Sequence, residues 1–234
     1  MVGPIDTSFD FATDTPPGKD PDALSPTLRR YHRMLWSKPL PSGEIFDLDP
    51  TVRGEYLVHR SSRGEFRLTS DAITTNLVHK AGRVIQQIAP EVRPADLGYT
   101  MGSAILFPGV RINGKQNLNG ARGFHPSIAD RFDLTLECIR RHYAGEDNKL
   151  ADVLQRYSDF FGLFGDFSGY VDFWLLQDLV EDDGATIRFF HHFDDFRTPA
   201  VPRTVDDYIA YVEASNDFIR RRNRRIDDFV RGMA

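Results

Sequence analysis

The chain has 234 residues, a formal net charge of −5 and a hydrophobic content of 41% that includes 18 phenylalanines. This length suits one domain, and so many large apolar residues can fill one core, which excludes an intrinsically disordered chain. The acidic balance disfavours a protein that coats nucleic acid over its whole surface, although 29 lysines and arginines leave room for a local basic patch.

The cysteine content and the first residues bear on the cellular compartment. Cys138 is the single cysteine, so neither an intramolecular disulfide nor a cysteine-rich zinc site can form. The N-terminal residues lack a basic stretch followed by an apolar one, and no apolar run approaches the ~18–20 residues that cross a bilayer. We therefore expect a cytoplasmic protein with no membrane partner.

The first part of the chain predicts an arm followed by a helix. Three prolines between Asp14 and Pro21 disfavour a helix, so residues 1–24 are predicted to be an extended arm that Phe9 and Phe11 attach to the body. Ser25 and the proline after it suit an N-cap and a first helical position. The spacing predicts a helix from there to about residue 37.

A hairpin and a second helix are predicted next. Residues 55–60 and 65–69 read as short strands, and Ser61–Gly64 suits the turn between them. Apolar residues then recur every three or four positions, which predicts a helix over 71–89 with Ser70 as its cap.

The middle of the chain predicts a buried strand over Tyr99–Phe107. Asn113-Gly114 is a strong hairpin signal, and the apolar spacing predicts helices over 126–143 and 149–164. Residues 170–180 could form a buried strand or a buried helix, since periodicity does not separate the two.

The last part of the chain predicts a strand over 185–190 and a long helix from Thr204 to about residue 231. Helices and short hairpins do not alternate regularly along the sequence. The prediction is therefore an α+β fold with a mostly antiparallel sheet, several helices and a long C-terminal helix, in one domain over 1–234.

The first candidate site is the segment Asn113–Gly123, which is rich in glycine and asparagine. Its glycines allow close backbone approach, and its two cations precede a helix predicted to start at Pro126. Together these features favour binding of a phosphate or carboxylate, although the spacing matches no known phosphate loop. The alternative is a hairpin turn with local ion pairing. The candidate ligand-binding residues are Lys115, Gly120, Arg122, Gly123 and Arg131.

Acidic residues supply the candidate catalytic groups. Asp172 and Asp178 lie in or beside the apolar stretch 170–180, and Asp172 needs a partner if it is buried. Carboxylates can act as acid and base or bind Mg²⁺, which makes magnesium a candidate cofactor. Six residues is a poor separation for one shared site on either a strand or a helix.

Basic helices give a third candidate site. Arg29, Arg30 and Arg33 lie on the first helix, and five arginines lie between 220 and 225 on the last. Asp217, Asp227 and Asp228 are placed to pair with the second group, so a salt-bridged surface is the alternative to a phosphate site.

Four strings of sequence carry a family resemblance. They are TDTPPGKDPD (13–22), LWSKPLP (35–41), NGARG (119–123) and DFWLLQD (172–178). With them the chain resembles a family of uncharacterised bacterial and phage proteins over nearly its whole length. The resemblance implies one conserved domain in a microbial cytosol and carries over no site residues. Its occurrence in both bacteria and phages favours a nucleotide-related or conflict-related role.

These patterns support three functional hypotheses. The first is binding or processing of a phosphate-bearing small molecule or a nucleic-acid end. The second is a non-catalytic interaction or self-association module that uses Phe9, Phe11, Trp36 and the C-terminal arginines. The third is a transferase that acts on a nicotinamide dinucleotide and transfers ADP-ribose, with His59, Thr69-Ser70 and Glu137 in its site.

Overall fold

Two short helical turns occupy the N-terminal segment. The computed structural model describes residues 5–50, 57–73, 77 and 79–233 of the chain. Phe11–Asp14 form a 3-10 turn and Pro21–Leu24 form helix α1. The side chains of Asp10 and Asp20 cap these turns, which offsets the effect of the prolines. The prediction of an extended arm is therefore wrong for these residues.

The first long helix begins and ends where the sequence predicts. Helix α2 spans Pro26–Trp36, and the Ser25 hydroxyl accepts a hydrogen bond from Leu28 N at 3.1 Å. Its buried face carries Leu28, Tyr31 and Leu35. The Phe11 ring lies edge-on to Tyr31 at 6.0 Å, so the predicted anchoring by this phenylalanine is confirmed.

The sheet has four antiparallel strands in sequence order. They are β1 (Asp49–Pro50), β2 (Leu57–Ser61), β3 (Gly64–Ala72) and β4 (Ala104–Pro108). The predicted turn joins β2 to β3, with Ser61 paired to Gly64. Residues 55–56 of the first predicted strand lie outside the described residues.

The predicted helix over 71–89 is wrong in its first part. Strand β3 continues through Asp71 and Ala72, which pair with Ile105 and Ala104 of β4. Helix α3 covers Gly82–Ile85 alone, and residues 74–76 and 78 lie outside the described residues. These residues can either continue a strand and pair with β4 or begin a helix with the apolar pattern that follows. Tertiary structure decides which of the two forms.

The segment between β4 and the next long helix also differs from the prediction. The strand starts at Ala104 rather than Tyr99, after a 3-10 turn. Asn113 and Gly114 have φ of 53° and 71°, as in the predicted turn, but the residues after them form no strand. Leu118–Phe124 form helix α4 instead.

The next four helices are α5 (Phe132–Ala144), α6 (Ala151–Arg156), α7 (Ser158–Phe161) and α8 (Phe167–Phe173). Helix α5 starts six residues later than expected because Ala129 and Asp130 have φ of 48° and 69°, which breaks any continuation from Pro126. Helix α8 resolves the ambiguous stretch 170–180 in favour of a helix in its first part. The predicted strand over 185–190 is reduced to a single bridge between Val180 and Ile187.

Helix α9 spans Val205–Met233, and Thr204 caps it by accepting a hydrogen bond from Asp207 N at 3.1 Å. This confirms the predicted C-terminal helix. The helix packs beside an aromatic core in which the rings of Trp36 and Trp174 lie 5.1 Å apart. Helices on an antiparallel sheet with a long last helix confirm the α+β fold.

Candidate functional site

The segment predicted to be an open loop is mostly helical. Asn117 caps helix α4, because its side-chain oxygen accepts a hydrogen bond from Gly120 N at 3.0 Å. Gly120 and Gly123 lie inside the helix and are half-buried. Lys115 precedes the helix and is exposed.

Arg122 points into the protein rather than towards a ligand. Its side chain has 0% exposure and forms ion pairs with Asp71 and, at 3.0 Å, with Asp130. Its remaining donors bind Asp130 O at 2.9 Å and Thr135 Oγ1 at 3.2 Å. All three guanidinium nitrogens donate hydrogen bonds within the protein, so Arg122 is not available to hold a phosphate.

Arg131 is also buried and joins three segments of the chain. It forms an ion pair with Asp133 and donates to the carbonyls of Ala200 at 3.1 Å and His191 at 3.3 Å. The Asp133 carboxylate in turn accepts from Phe190 N at 2.9 Å. Arg131 precedes helix α5 instead of lying one turn inside it, so it does not reach the surface where Lys115 lies.

The two candidate acids lie apart from these cations. Asp172 is exposed and accepts a hydrogen bond from Gln177 Nε2 at 2.9 Å. Asp178 forms an ion pair with Arg225 at 2.9 Å. Among the described contacts, none joins either aspartate to Lys115, Arg122 or Arg131, so the structure does not bring the predicted residues into one site.

Sequence reasoning missed a pair of carboxyls at the junction of α1 and β3. Asp22 and Asp71 are both half-buried. Burial and mutual repulsion raise the pKa of Asp22 well above its usual range. Burial also raises the pKa of Asp71 to about 6, although the Arg122 guanidinium opposes this effect. A carboxyl that holds its proton near neutral pH is a common feature of catalytic sites.

A hydrogen-bonded relay runs from this pair into the core. Trp36 Nε1 donates to His32 Nδ1 at 3.0 Å, and His32 Nε2 lies 3.0 Å from the Ser70 hydroxyl. Burial lowers the pKa of His32 to about 3, so the ring is neutral and its one proton must lie on Nε2. Ser70 therefore accepts from the ring and donates to Asp22 Oδ1 at 3.4 Å.

Arg222 is buried, and none of its described contacts is with a carboxylate. Its guanidinium donates to the carbonyls of Gly102, Ala104 and Trp174 at 2.9 Å each. Burial lowers its pKa to about 9. Nearby, the Lys38 ammonium lies 4.5 to 5.1 Å from three aromatic ring centres, and burial lowers the pKa of Lys38 to about 8.

Three grooves lie on the surface, and each is named after one of the cations that line it. The Lys80 groove has a volume of about 750 Å³ and is walled by residues 79–84, 86–87, 126 and 199–203. Its charged residues are Lys80, Arg83 and Arg203, and no carboxylate is among its described lining residues. The groove is therefore strongly cationic.

The other two grooves are of mixed charge. The Lys115 groove measures about 910 Å³ and holds Lys115, Lys149, Arg156, Asp147 and Asp152. The Arg63 groove measures about 330 Å³ and holds Arg63, Arg67, Arg156, Glu65 and Asp159. In both grooves, the lining cations outnumber the lining carboxylates.

The residues of the transferase hypothesis do not form a site. His59 is buried on β2 and lies between the rings of Phe46 and Phe66. Ser70 belongs to the relay, and the Glu137 carboxylate is engaged by Arg140 at 2.8 Å and by Arg141 at 2.6 Å. No described contact brings Glu137 to the other two residues.

The surfaces of the interaction hypothesis are also largely occupied. Phe9 and Phe11 pack against each other at 5.8 Å, and Trp36 is fully buried in the core. On α9, Arg221 pairs with Asp217 at 2.5 Å, as the sequence predicts, whereas Asp228 pairs with Arg231 at 2.6 Å, an arginine outside the predicted group.

The described part of the chain holds no group of three metal-ligating side chains. Among the same residues, no helix is both long and apolar enough to cross a bilayer.

Comparison with known proteins places the chain in one family. The model of a family of unknown function, DUF6994, matches residues 5–226. The chain belongs to this family. No curated protein and no solved structure was found to match it. The DUF6994 assignment carries no activity, so the function must be argued from the geometry of the site.

Proposed function

We propose that this DUF6994 protein binds a phosphate-bearing ligand in the Lys80 groove. The observation that supports the proposal is the charge of the groove wall, which includes Lys80, Arg83 and Arg203 and no described carboxylate. None of the three cations forms an ion pair with a described carboxylate. Arginine forks match the geometry of phosphate oxygens, and unpaired cations attract an anion without first losing another partner.

Lys115 keeps a role in this proposal at the edge of the site. It lines the neighbouring Lys115 groove, and the Phe124 ring of that groove lies 5.7 Å from the Lys80 ammonium. A ligand that carries phosphates and an aromatic base could place its charge on the Lys80 groove and its base against Phe124. Arg122, Arg131, Asp172 and Asp178 have no part in it, because their contacts are made within the protein.

Titration calorimetry with ADP and with inorganic pyrophosphate tests the proposal. We expect both to bind, and Arg83→Ala and Arg203→Ala each to weaken binding at least tenfold, since a charge-assisted hydrogen bond contributes about 1.5–3 kcal/mol. Lys19→Ala is the matched control, because Lys19 is exposed and lines none of the three grooves. Absence of binding to both probes, or equal weakening by Lys19→Ala, contradicts the proposal.

A second candidate function is acid–base catalysis at Asp22. The observation that favours it is a half-buried carboxyl that faces Asp71 and has one described side-chain hydrogen bond, from Ser70 at 3.4 Å. Few hydrogen bonds stabilise the charged form of this carboxyl, which favours its acid form. The acid form can donate a proton to the leaving group of a substrate.

The test is hydrolysis of chromogenic phosphoesters, carboxylic esters and glycosides at pH 5 and pH 8. We expect turnover of one of these classes to be faster at pH 5 than at pH 8, because burial raises the pKa of Asp22 and so favours the acid form that donates a proton, and to be lost in Asp22→Asn. Lys19→Ala serves again as the control. Turnover that survives in Asp22→Asn, or no turnover of any class, counts against a catalytic Asp22.

A further inference from the structure

We infer that the ligand is a single strand of nucleic acid, which lies along the three grooves as one track. The inference rests on the proposed function, because the Lys80 groove is the first part of the track. It adds a polymeric ligand, a direction across the surface and a base-stacking position.

The grooves adjoin one another through shared residues. Pro126 lines the Lys80 groove, while the two residues before it, Phe124 and His125, line the Lys115 groove. Arg156 lines both the Lys115 groove and the Arg63 groove. A chain molecule that follows these residues would pass from Lys80 across Phe124 to Arg156 and on to Arg63.

Cations outnumber carboxylates in each of the three grooves, and the three together are lined by eight cations and four carboxylates. The Lys80 groove contributes three cations, and Lys115 and Lys149 follow in the next groove without an ion pair to a described carboxylate. Arg156 binds only backbone carbonyls, those of Asp152 at 3.1 Å and Gln116 at 2.8 Å, and its buried Nε has no described partner. Spaced cations suit a phosphate backbone, and this local excess exists although the whole chain has a net charge of −5.

An aromatic ring stands at the junction of the first two grooves. Phe124 has 74% exposure, more than any other exposed large apolar side chain among the described residues. The ring extends into solvent rather than into the core, and the Lys80 ammonium lies 5.7 Å from its centre. Beside Lys80 and between two cationic grooves, the ring can stack on an unpaired base.

Stacking also selects between single and double strands. A base within a duplex has both faces covered, whereas an unpaired base can place one face on a ring for about 1–3 kcal/mol. Phe66 in the Arg63 groove offers a second ring, half-buried and supported by Phe160 at 5.8 Å. Grooves with rings at two points therefore fit a single strand better than a duplex.

Fluorescence anisotropy with labelled oligothymidine and oligouridine of about 15 nucleotides, close to the longest site of a single-strand-binding fold, tests the inference. We expect binding that weakens as salt rises, and an unlabelled duplex of equal length that competes poorly. The two oligonucleotides distinguish a DNA ligand from an RNA ligand.

Three variants separate stacking from charge. Phe124→Ala should weaken binding about tenfold with an unchanged salt dependence, since a lost stack removes no charge. Lys115→Glu should weaken binding and reduce the salt dependence, while Lys19→Glu, which changes the net charge equally, should leave both unchanged. All three positions are exposed, and an unchanged melting temperature confirms that each variant folds.

The outcomes are distinguishable from those of the proposed function. If ADP binds but neither oligonucleotide binds more tightly than ADP, the phosphate site stands and the strand track is overturned. Equal competition by the duplex, or wild-type affinity in Phe124→Ala, also overturns it. If neither ADP nor an oligonucleotide binds, both proposals fall together.

Discussion

The Asp22 carboxyl is half-buried beside a second carboxyl, and this has a measurable effect on stability. An acid whose folded pKa lies above its unfolded pKa stabilises the fold below the unfolded value, and that stability is lost as pH rises through the folded pKa. Both Asp22 and Asp71 have raised pKa values, that of Asp71 about 6. We therefore expect the free energy of unfolding to decrease between about pH 4 and pH 6 and beyond.

Asp22→Asn should reduce this loss, because the amide carries no charge at any pH. At pH 7 we expect the variant to be more stable than the wild type, because burial and the neighbouring Asp71 raise the pKa of Asp22 and so disfavour its charged form in the folded state. Arg122→Met is the contrasting variant and should lose about 3–5 kcal/mol, because the half-buried carboxylates of Asp71 and Asp130 then lack the guanidinium that pairs with both. Urea unfolding at pH 5 and pH 7 measures both. An Asp22→Asn variant as unstable as Arg122→Met would contradict the reasoning.

At the scale of residues, the sequence shows which side chains are charged or polar, but not whether each one points to the surface or into the protein. Arg122 was expected at a ligand and is instead buried against Asp71, which lies 51 positions earlier. No local pattern could show this, since the pairing depends on β3 extending to meet α4. Asp22 and Ser70 are 48 positions apart, and the Lys80 groove joins residues from three distant segments, so sequence spacing carries no signal for either.

Helix α9 packs so closely on the turn before β4 that the contact point requires glycine. A Cβ on Gly102 would lie 2.5 Å from Ile219 O and 2.7 Å from Asn223 Oδ1. Gly102→Ala should therefore destabilise the protein by about 1–3 kcal/mol, since backbone must move to make room. Gly82 is the matched position, because its added methyl group would meet nothing within 4 Å.

Thermal unfolding of the two alanine variants tests this contact. We expect Gly102→Ala to lower the melting temperature by several degrees, at about 2–4 °C per kcal/mol for a chain of this size. Gly82→Ala should leave it unchanged or raise it slightly, because alanine is the better helix former. Equal melting temperatures for the two variants would show that α9 does not press on Gly102.

At the scale of elements, the sequence predicted the cap of a helix or the turn of a hairpin correctly when the signal lay in neighbouring residues. The Ser25 cap of α2, the turn between β2 and β3, and the Thr204 cap of α9 all depend on residues a few positions apart. The errors lie where two local tendencies compete. Residues 71–72 had a helical apolar pattern but completed a strand pair, and residues 118–124 had two glycines but formed a helix with an asparagine cap.

For the whole molecule, the prediction of a single domain leads to an expectation for unfolding. One apolar core includes residues from α2, the sheet, α5, α8 and α9. We expect one cooperative transition in urea, with the fluorescence of Trp36 and Trp174 and the far-ultraviolet circular dichroism changing together. These tryptophans touch across α2 and the end of α8, so their signal reports the core while the dichroism reports the helices. Two separate transitions would argue for two domains.

The position of Arg222 has a consequence for how the chain matures during synthesis. Its guanidinium donates hydrogen bonds to the carbonyl groups of residues 102, 104 and 174. All three of these residues leave the ribosome before Arg222. Until residue 222 emerges, those carbonyls lack their native donor, and the turn before β4 lacks the helix that packs on it. The nascent polypeptide therefore keeps these carbonyl groups without their native hydrogen bonds, and the apolar surface beside them exposed to chaperones, until residue 222 has been synthesised.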